Sequence, residues 1–305
     1  DDWQWLEFRR VLFRSGINMA AYQNIHWFPG HMKVAFDEIK KLLPQIDLVI
    51  EIGDARAPLS SFNNLIEKVV EGKKIARIYS KKDLCDLKKF EEITKSDISQ
   101  GKYVKALDFK NKKDIKELTD FLSTIKSSKQ EKYQRLGLQV PATRALIVGI
   151  PNVGKSTLIN SLVGKKKASV ANKPGHTIAP QMIKVSDKFV LFDTPGVLEP
   201  NYQDKQTIVK LAWLGSVKTE ILPIEELTDT LITFLLNNYL NNLNIRYSTN
   251  LSPINQPYEA FEAIAQSRKF VLPGGALDIN RARMTVLKEF QEGAIGKVVV
   301  DNVKA

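Results

Sequence analysis

The sequence predicts an α/β fold, a doubly wound and mostly parallel sheet followed by a smaller, mainly helical C-terminal domain. Three observations carry that expectation. Short apolar runs at 48–52, 75–79 and 103–107 alternate with stretches of helical period, the pattern of a parallel sheet built from strand–helix units. At 145–162, ALIVGIPNVGKSTLINSL, an apolar strand passes through a glycine-bounded turn into a helix. Beyond 203 the alternation gives way to helical spacing, as in Leu227, Leu231, Phe234 and Leu235.

Residues 1–18 show neither a signal-peptide apolar core nor a clear amphipathic period. Their tetrapeptide Leu12-Phe13-Arg14-Ser15 is what a common sequencing-adapter DNA encodes when translated, so 1–18 read as a non-native extension. After Met19 and NIHWFPGHMK, a helix carrying Phe36, Ile39, Leu42 and Leu43 stops at Pro44. Residues 48–52 form a buried strand, followed by the turn-rich GDARAPLSSFN and a helix that Gly72 closes. A second strand at 75–79 runs into Ser80-Lys81-Lys82-Asp83, and 103–107 is a third. Asp114 with Glu117 reads as a capping box for the helix of Ile115, Leu118, Phe121, Leu122 and Ile125. Polar residues 126–137 form a connector back to the strand at 145. Past the next helix, 165–180 is a long basic loop, and 181–185 pairs with 189–193 as a hairpin. Helices are expected near 204–214, 224–240, 257–267 and 278–291, with GKVVV as a short terminal strand. The division is therefore a nucleotide domain at 19–202 and a helical domain at 203–305.

The net charge is +11, and all of it falls in 19–202, because 1–18 and 203–305 each balance to zero. A basic nucleotide domain points to a polyanionic partner such as RNA. In the C-terminal part, Arg281 and Lys288 with Arg268 and Lys269 read either as grips for RNA phosphates or as solvated surface charge. The single cysteine, Cys85, excludes an internal disulfide and suits a reducing cytosol. No apolar stretch approaches the roughly 18 residues of a membrane span, so membrane insertion is not expected. A cytoplasmic monomer is the expectation.

Residues 149–156 fit G-x-x-x-x-G-K-[ST], with Gly149, Gly154, Lys155 and Ser156 at the fixed positions. A nucleoside triphosphate brings crowded anionic oxygens, and this spacing supplies donors, a cation and clearance. Backbone N–H groups of Asn152, Val153, Gly154, Lys155 and Ser156, with Thr157 beside them, would face the phosphates where the helix presents its positive end. Lys155 would reach the β and γ phosphates, and the Ser156 hydroxyl would ligate Mg²⁺. Asp193-Thr194-Pro195-Gly196 is D-x-x-G at a strand end: Asp193 would hold Mg²⁺ through water, and the Gly196 amide would donate to the γ-phosphate. Between these motifs, Thr177 in Pro174-Gly175-His176-Thr177 occupies the place of a switch threonine that reaches Mg²⁺ while the triphosphate is bound.

A GTPase reads guanine with Asn-Lys-x-Asp after these motifs, whereas the candidate here, Ser80-Lys81-Lys82-Asp83, precedes them. The fold is thus predicted to be a circularly permuted P-loop NTPase. Permutation is physically allowed because a nucleotide site needs loops at the carboxyl ends of neighbouring strands, whatever order the chain visits them in. Asp83 would accept from the guanine N1 and N2 donors, Lys81 would lie against the ring, and Lys82 is expected to be solvated.

WFPGHM, DARAP, SKKD, GIPNVGKSTLIN, PGHT and DTPG, in this order, resemble the circularly permuted ribosome-assembly GTPases of the RbgA/YlqF family, over about residues 22–220 and more loosely to the C-terminus. The resemblance implies GTP and GDP as ligands, Mg²⁺ as cofactor and hydrolysis of GTP to GDP and phosphate. It further implies a role in late maturation of the large ribosomal subunit, with the subunit precursor and rRNA as partners. Val197 stands after D-x-x-G, where Ras-like proteins carry the glutamine that orients water. The family's catalytic histidine maps onto His31 of WFPGHM, with His26 and His176 as alternatives. Lys155, Thr177 and Gly196 complete the implied catalytic set. Asn152 takes the position of an asparagine that helps bind K⁺ in similar GTPases, which implies K⁺-stimulated hydrolysis. One departure is Ser80, where the family carries asparagine; serine reaches less far toward a base. Arg56 of DARAP is expected to pair with Asp54 rather than to act as an arginine finger. Two other classes stand beside it: a nucleotide-dependent RNA tether with little useful hydrolysis, which Ser80 and Val197 would suit, and a small-molecule phosphotransferase, which PGHT and DTPG oppose. Permutation also leads the segment after DTPG straight into the C-terminal part, so a change at the γ-phosphate would be felt there.

Overall fold

A computed structural model of the chain describes residues 30–62, 64–99, 103–163, 181–194, 205–217 and 223–302. The chain divides into two compact units, one of 204–298 and the other of 26–203 together with 299–305. Residues 299–302 thus fall in the same unit as the nucleotide motifs.

In the larger unit, β1 (Leu48–Asp54), β2 (Lys74–Ser80), β3 (Val104–Ala106), β4 (Thr143–Gly149), β5 (Gln181–Ser186) and β6 (Phe189–Asp193) form one sheet in the order β3-β2-β1-β4-β6-β5. Every neighbouring pair is parallel except the β5–β6 hairpin. The central strand β1 is buried along its whole length, and β4 nearly so. A strand covered on both faces has no polar alternation, which explains the continuous apolar runs.

Six helices belong to this unit among the described residues: α1 (Gly30–Leu42), α2 (Asn64–Val69), α3 (Leu87–Ser99), α4 (Lys112–Thr124), α5 (Ser128–Arg135) and α6 (Lys155–Val163). Phe36 and Ile39 of α1 and Ile66 of α2 pack with Val49, Leu146, Val148 and Phe192 in one core cluster. Phe90 and Ile93 of α3 join Ala55, Tyr79, Cys85, Ala106 and Val299 in another.

Two sequence expectations change here. The polar connector contains α5, held by a reciprocal capping box of Ser127 and Gln130. It lacks an apolar stripe because its anchor is polar: Gln130 Nε2 donates to Pro141 O and Thr143 Oγ1 at 3.0 and 2.8 Å. The cap of α4 is Asn111, which accepts from Lys113 N, instead of the Asp114/Glu117 box. Asp114 turns to the neighbouring loop and accepts from Asp108 N at 2.8 Å and Lys82 Nζ at 3.2 Å.

The smaller unit holds α7 (Lys205–Trp213), α8 (Ile224–Asn238), α9 (Leu240–Tyr247), α10 (Pro257–Ser267) and α11 (Ile279–Glu292). Leu227, Leu231 and Leu235 are buried as their spacing implied, and Phe234 lies against Trp213 with ring centroids 5.3 Å apart. The helix expected over 224–240 breaks at Tyr239, whose φ of −139° is not helical, and α9 follows. GKVVV contains a single bridge residue and no strand. Three of the four cations read as possible RNA grips have partners inside the unit: Arg268 lies over Tyr247, Arg281 over Phe270, and Lys288 reaches Glu292 at 4.0 Å, while Lys269 is exposed. No helix among the described residues is long and apolar enough to cross a membrane.

Candidate nucleotide-binding site

The P-loop runs from the end of β4 to the start of α6. At Gly149 a Cβ would lie 2.5 Å from Ile52 O, so only glycine lets β4 approach β1 at that point. Ile150 and Val153 are fully buried and anchor the loop from within, while Asn152 takes φ +59° and Gly154 φ +99°. Ser156 and Thr157 follow on the first turn of α6, half-buried. Lys155 is buried, and its Nζ donates to Gly149 O at 3.1 Å and Ile150 O at 3.0 Å. Burial pushes the Lys155 pKa down to about 8, against the opposing pull of Asp193.

Asp193 ends β6, the strand paired with β4. Burial raises its pKa to about 6, while Lys155 and the Thr194 amide pull the other way. Its Oδ1 is buried without a hydrogen-bond partner among the described residues. An orphaned carboxylate oxygen in a P-loop cleft suits a cation with its water shell, so the donor set fits Mg²⁺. Thr194 Oγ1 donates to Ile147 O at 2.7 Å and ties the end of β6 to β4.

SKKD begins at the end of β2, separated from β4 only by β1. This loop meets the P-loop: a Cβ on Gly154 would lie 3.7 Å from Ser80 Cβ and 3.5 Å from the Phe109 ring. Ser80 is buried, and its hydroxyl donates to Gly53 O at 3.0 Å, binding β2 to β1. Lys81 adopts the left-handed conformation, φ +60°, and its Nζ lies 2.8 Å from Asp54 Oδ2. Asp83 is exposed in the short 3-10 turn Lys82–Leu84. Lys82, expected to be solvated, reaches Asp114.

Arg56 and Asp54 form the expected ion pair, with both side chains fully buried. Burial alone would raise the Asp54 pKa, yet the Arg56 and Lys81 cations outweigh it and hold the carboxyl well below the usual range.

The loop after β3 was missed by sequence reasoning. Its Leu107 O accepts from Lys82 N at 3.3 Å, and its Phe109 O accepts from Ser161 Oγ of α6 at 2.6 Å. Leu-Asp-Phe-Lys has no motif spacing, and only its position at a third parallel strand end could have flagged it.

A family model described as 50S ribosome-binding GTPase matches residues 144–257. Ribosome biogenesis GTPase A of Priestia megaterium is 38% identical over 282 residues, which span 91% of this chain and 96% of that protein. The chain belongs to the RbgA/YlqF family of ribosome biogenesis GTPases. Mitochondrial ribosome-associated GTPase 1 of Xenopus tropicalis is 29% identical over 310 residues, 95% of this chain and 98% of that one. Among solved structures, GNP-bound YlqF from T. maritima superposes with a TM-score of 0.58 at 26% identity, covering 88% of this chain and 97% of that chain.

For this RbgA/YlqF-family chain, the remaining predicted residues divide simply. His31 lies in the first turn of α1. His26, His176, Thr177, Gly196 and Val197 lie outside the described residues.

Proposed function

We propose that this chain binds and hydrolyses GTP and serves as an assembly factor for the large ribosomal subunit. The observation that carries the reading is the approach of the SKKD loop to Gly154 of the P-loop, which brings a guanine reader and a phosphate cradle to one crevice. Asp83 accepts from the base donors, while Lys155 and the N–H groups from Asn152 to Ser156, with Thr157, hold the phosphates. Ser156 and Thr177 would ligate Mg²⁺ and Asp193 would hold it through water, and the ion would supply positive charge against the phosphates. Asn152 serves K⁺, the Gly196 amide donates to the γ-phosphate, and His31 orients the attacking water. The positive balance of 19–202 supports rRNA of the subunit precursor as the partner, met by a cytoplasmic monomer.

The test is GTP turnover with and without purified large ribosomal subunits, repeated across a salt series. Subunits are expected to stimulate turnover, and the stimulation to fall as salt weakens phosphate contacts. Turnover indifferent to subunits at every salt concentration would contradict the reading.

A further inference from the structure

The end of the chain returns to the nucleotide unit, where Val299 is fully buried beside Ala55, Tyr79 and Cys85. Asp301 is 1% exposed. Its Oδ2 accepts from Leu59 N at 2.8 Å and Ser60 N at 2.9 Å, and its Oδ1 from Ser60 Oγ at 2.5 Å. Val300 N donates to Arg56 O at 2.7 Å. Holding a tail in place needs only an apolar plug, which Val299 already supplies. A buried carboxylate does something else: it fixes the direction of the N–H groups it accepts from, in the manner of an N-cap delivered by a distant segment.

What it fixes is the turn after DARAP. Within that turn, Ser61 Oγ donates to Ala57 O at 2.6 Å and accepts from Asp54 N at 3.0 Å. Arg56 Nε donates to Asp54 Oδ1 at 3.0 Å and Nη2 to Oδ2 at 2.8 Å. The same Oδ2 accepts from Lys81 Nζ at 2.8 Å. Lys81 has a left-handed backbone, which a side chain with a Cβ adopts only when its surroundings hold it there. Lys81 opens the 3-10 turn that carries Asp83. Val300 thus reaches the Arg56–Asp54–Lys81 group by its own hydrogen bond, and Asp301 reaches it through the Ser60–Ser61 peptide link and the Ser61 hydroxyl.

We infer that Asp301 is a positioning residue for guanine: by clamping the 58–61 turn it keeps Asp54 and Arg56 set against Lys81, and so keeps the SKKD loop in the shape that presents Asp83 to the base. The inference rests on the functional reading above. It assigns the C-terminal tail a part in nucleotide selection that neither the P-loop nor the D-x-x-G motif supplies.

The experiment uses the full chain, stripped of nucleotide, as wild type, Asp301→Ala and Asp301→Asn. Dissociation constants are measured for GDP, for ADP and for inorganic triphosphate, which engages the phosphate cradle without a base. Asp301→Ala is expected to weaken GDP about tenfold, the scale of losing charge-assisted hydrogen bonds at one remove, and to leave triphosphate binding unchanged. Asp301→Asn keeps one acceptor oxygen, so it recovers part of the loss; if the alanine variant does not fold, the asparagine variant carries the same comparison with a smaller shift. Unchanged GDP affinity, or parallel loss of GDP and triphosphate as in general destabilisation, overturns the inference while wild type still prefers GDP to ADP. A wild type that takes ADP as tightly as GDP overturns the functional reading itself.

Discussion

Ile147 of β4 pairs in register with Asp193 of β6, so the strand that launches the P-loop and the strand that ends in DTPG deliver their termini side by side. Burial sets two opposite charges against their own solvation there: Lys155 falls to about 8 and Asp193 rises to about 6. Burial thus puts both charges under electrostatic stress, which phosphates and a divalent cation at this site would relieve.

Asp193→Asn tests that stress. A carboxylate with a raised native pKa stabilises the fold below its ordinary range, and the contribution is lost as pH climbs through about 6. Near pH 7.5 the ionised group costs the empty protein about 2–3 kcal/mol, which the asparagine removes. Urea unfolding without nucleotide should find the variant more stable at pH 7.5 and nearly equal to wild type at pH 4. With Mg²⁺ and GDP the order should reverse, because ligand linkage favours wild type.

Lys155 and Asp193 also fix the proton balance of binding. Phosphates raise the Lys155 pKa from about 8, so binding near pH 8 takes up protons. Mg²⁺ lowers the Asp193 pKa from about 6, so binding near pH 6 releases them. Calorimetry in buffers of different ionisation enthalpy should show the sign change between these limits.

Arg56→Ala should destabilise the fold by about 3 kcal/mol or more, since it strands the buried Asp54 carboxylate with Lys81 as its remaining cation. Asp54 has a depressed pKa, so its stabilisation is present above the ordinary carboxylate range and lost as pH falls toward its native pKa. Acid unfolding of wild type should therefore be steeper than that of Asp54→Asn, followed by circular dichroism.

The sequence made the sheet and its motifs legible because each rests on a local signal. The buried runs of β1 and β4 and the glycines of the P-loop are visible within a few residues. The permuted order was readable too, since SKKD preceding GKS can be seen without coordinates. What escaped depends on distant partners. Polar α5 is anchored through Gln130 to Thr143, Asp114 accepts from Lys82 of another loop instead of capping its own helix, and Asp301 caps a turn on the far side of the sequence. The connector and Asp114 were read by their neighbours in sequence and Asp301 carried no local signal, while the hydrogen bonds that determine all three are made to residues outside their own helix or segment.

Asp83→Asn should exchange base preference. A carboxylate accepts from the guanine N1 and N2 donors, whereas an amide can donate to the oxygen that xanthine carries at the second position. Competition binding should find GDP weakened and xanthosine diphosphate strengthened, with triphosphate affinity unchanged.

His31→Ala should abolish subunit-stimulated hydrolysis and leave nucleotide affinity intact, because an orienting base acts on the attacking water alone. Hydrolysis by wild type should be faster in potassium chloride than in sodium chloride; equal rates would remove K⁺ from the site.

A guanine reader and a phosphate cradle are proposed to share one crevice. The affinities of the isolated chain for GDP and ADP, measured side by side, test it most directly. GDP should bind at least about a hundredfold more tightly, as befits a site whose buried polar groups a wrong base leaves unpaired. Equal affinities would contradict it.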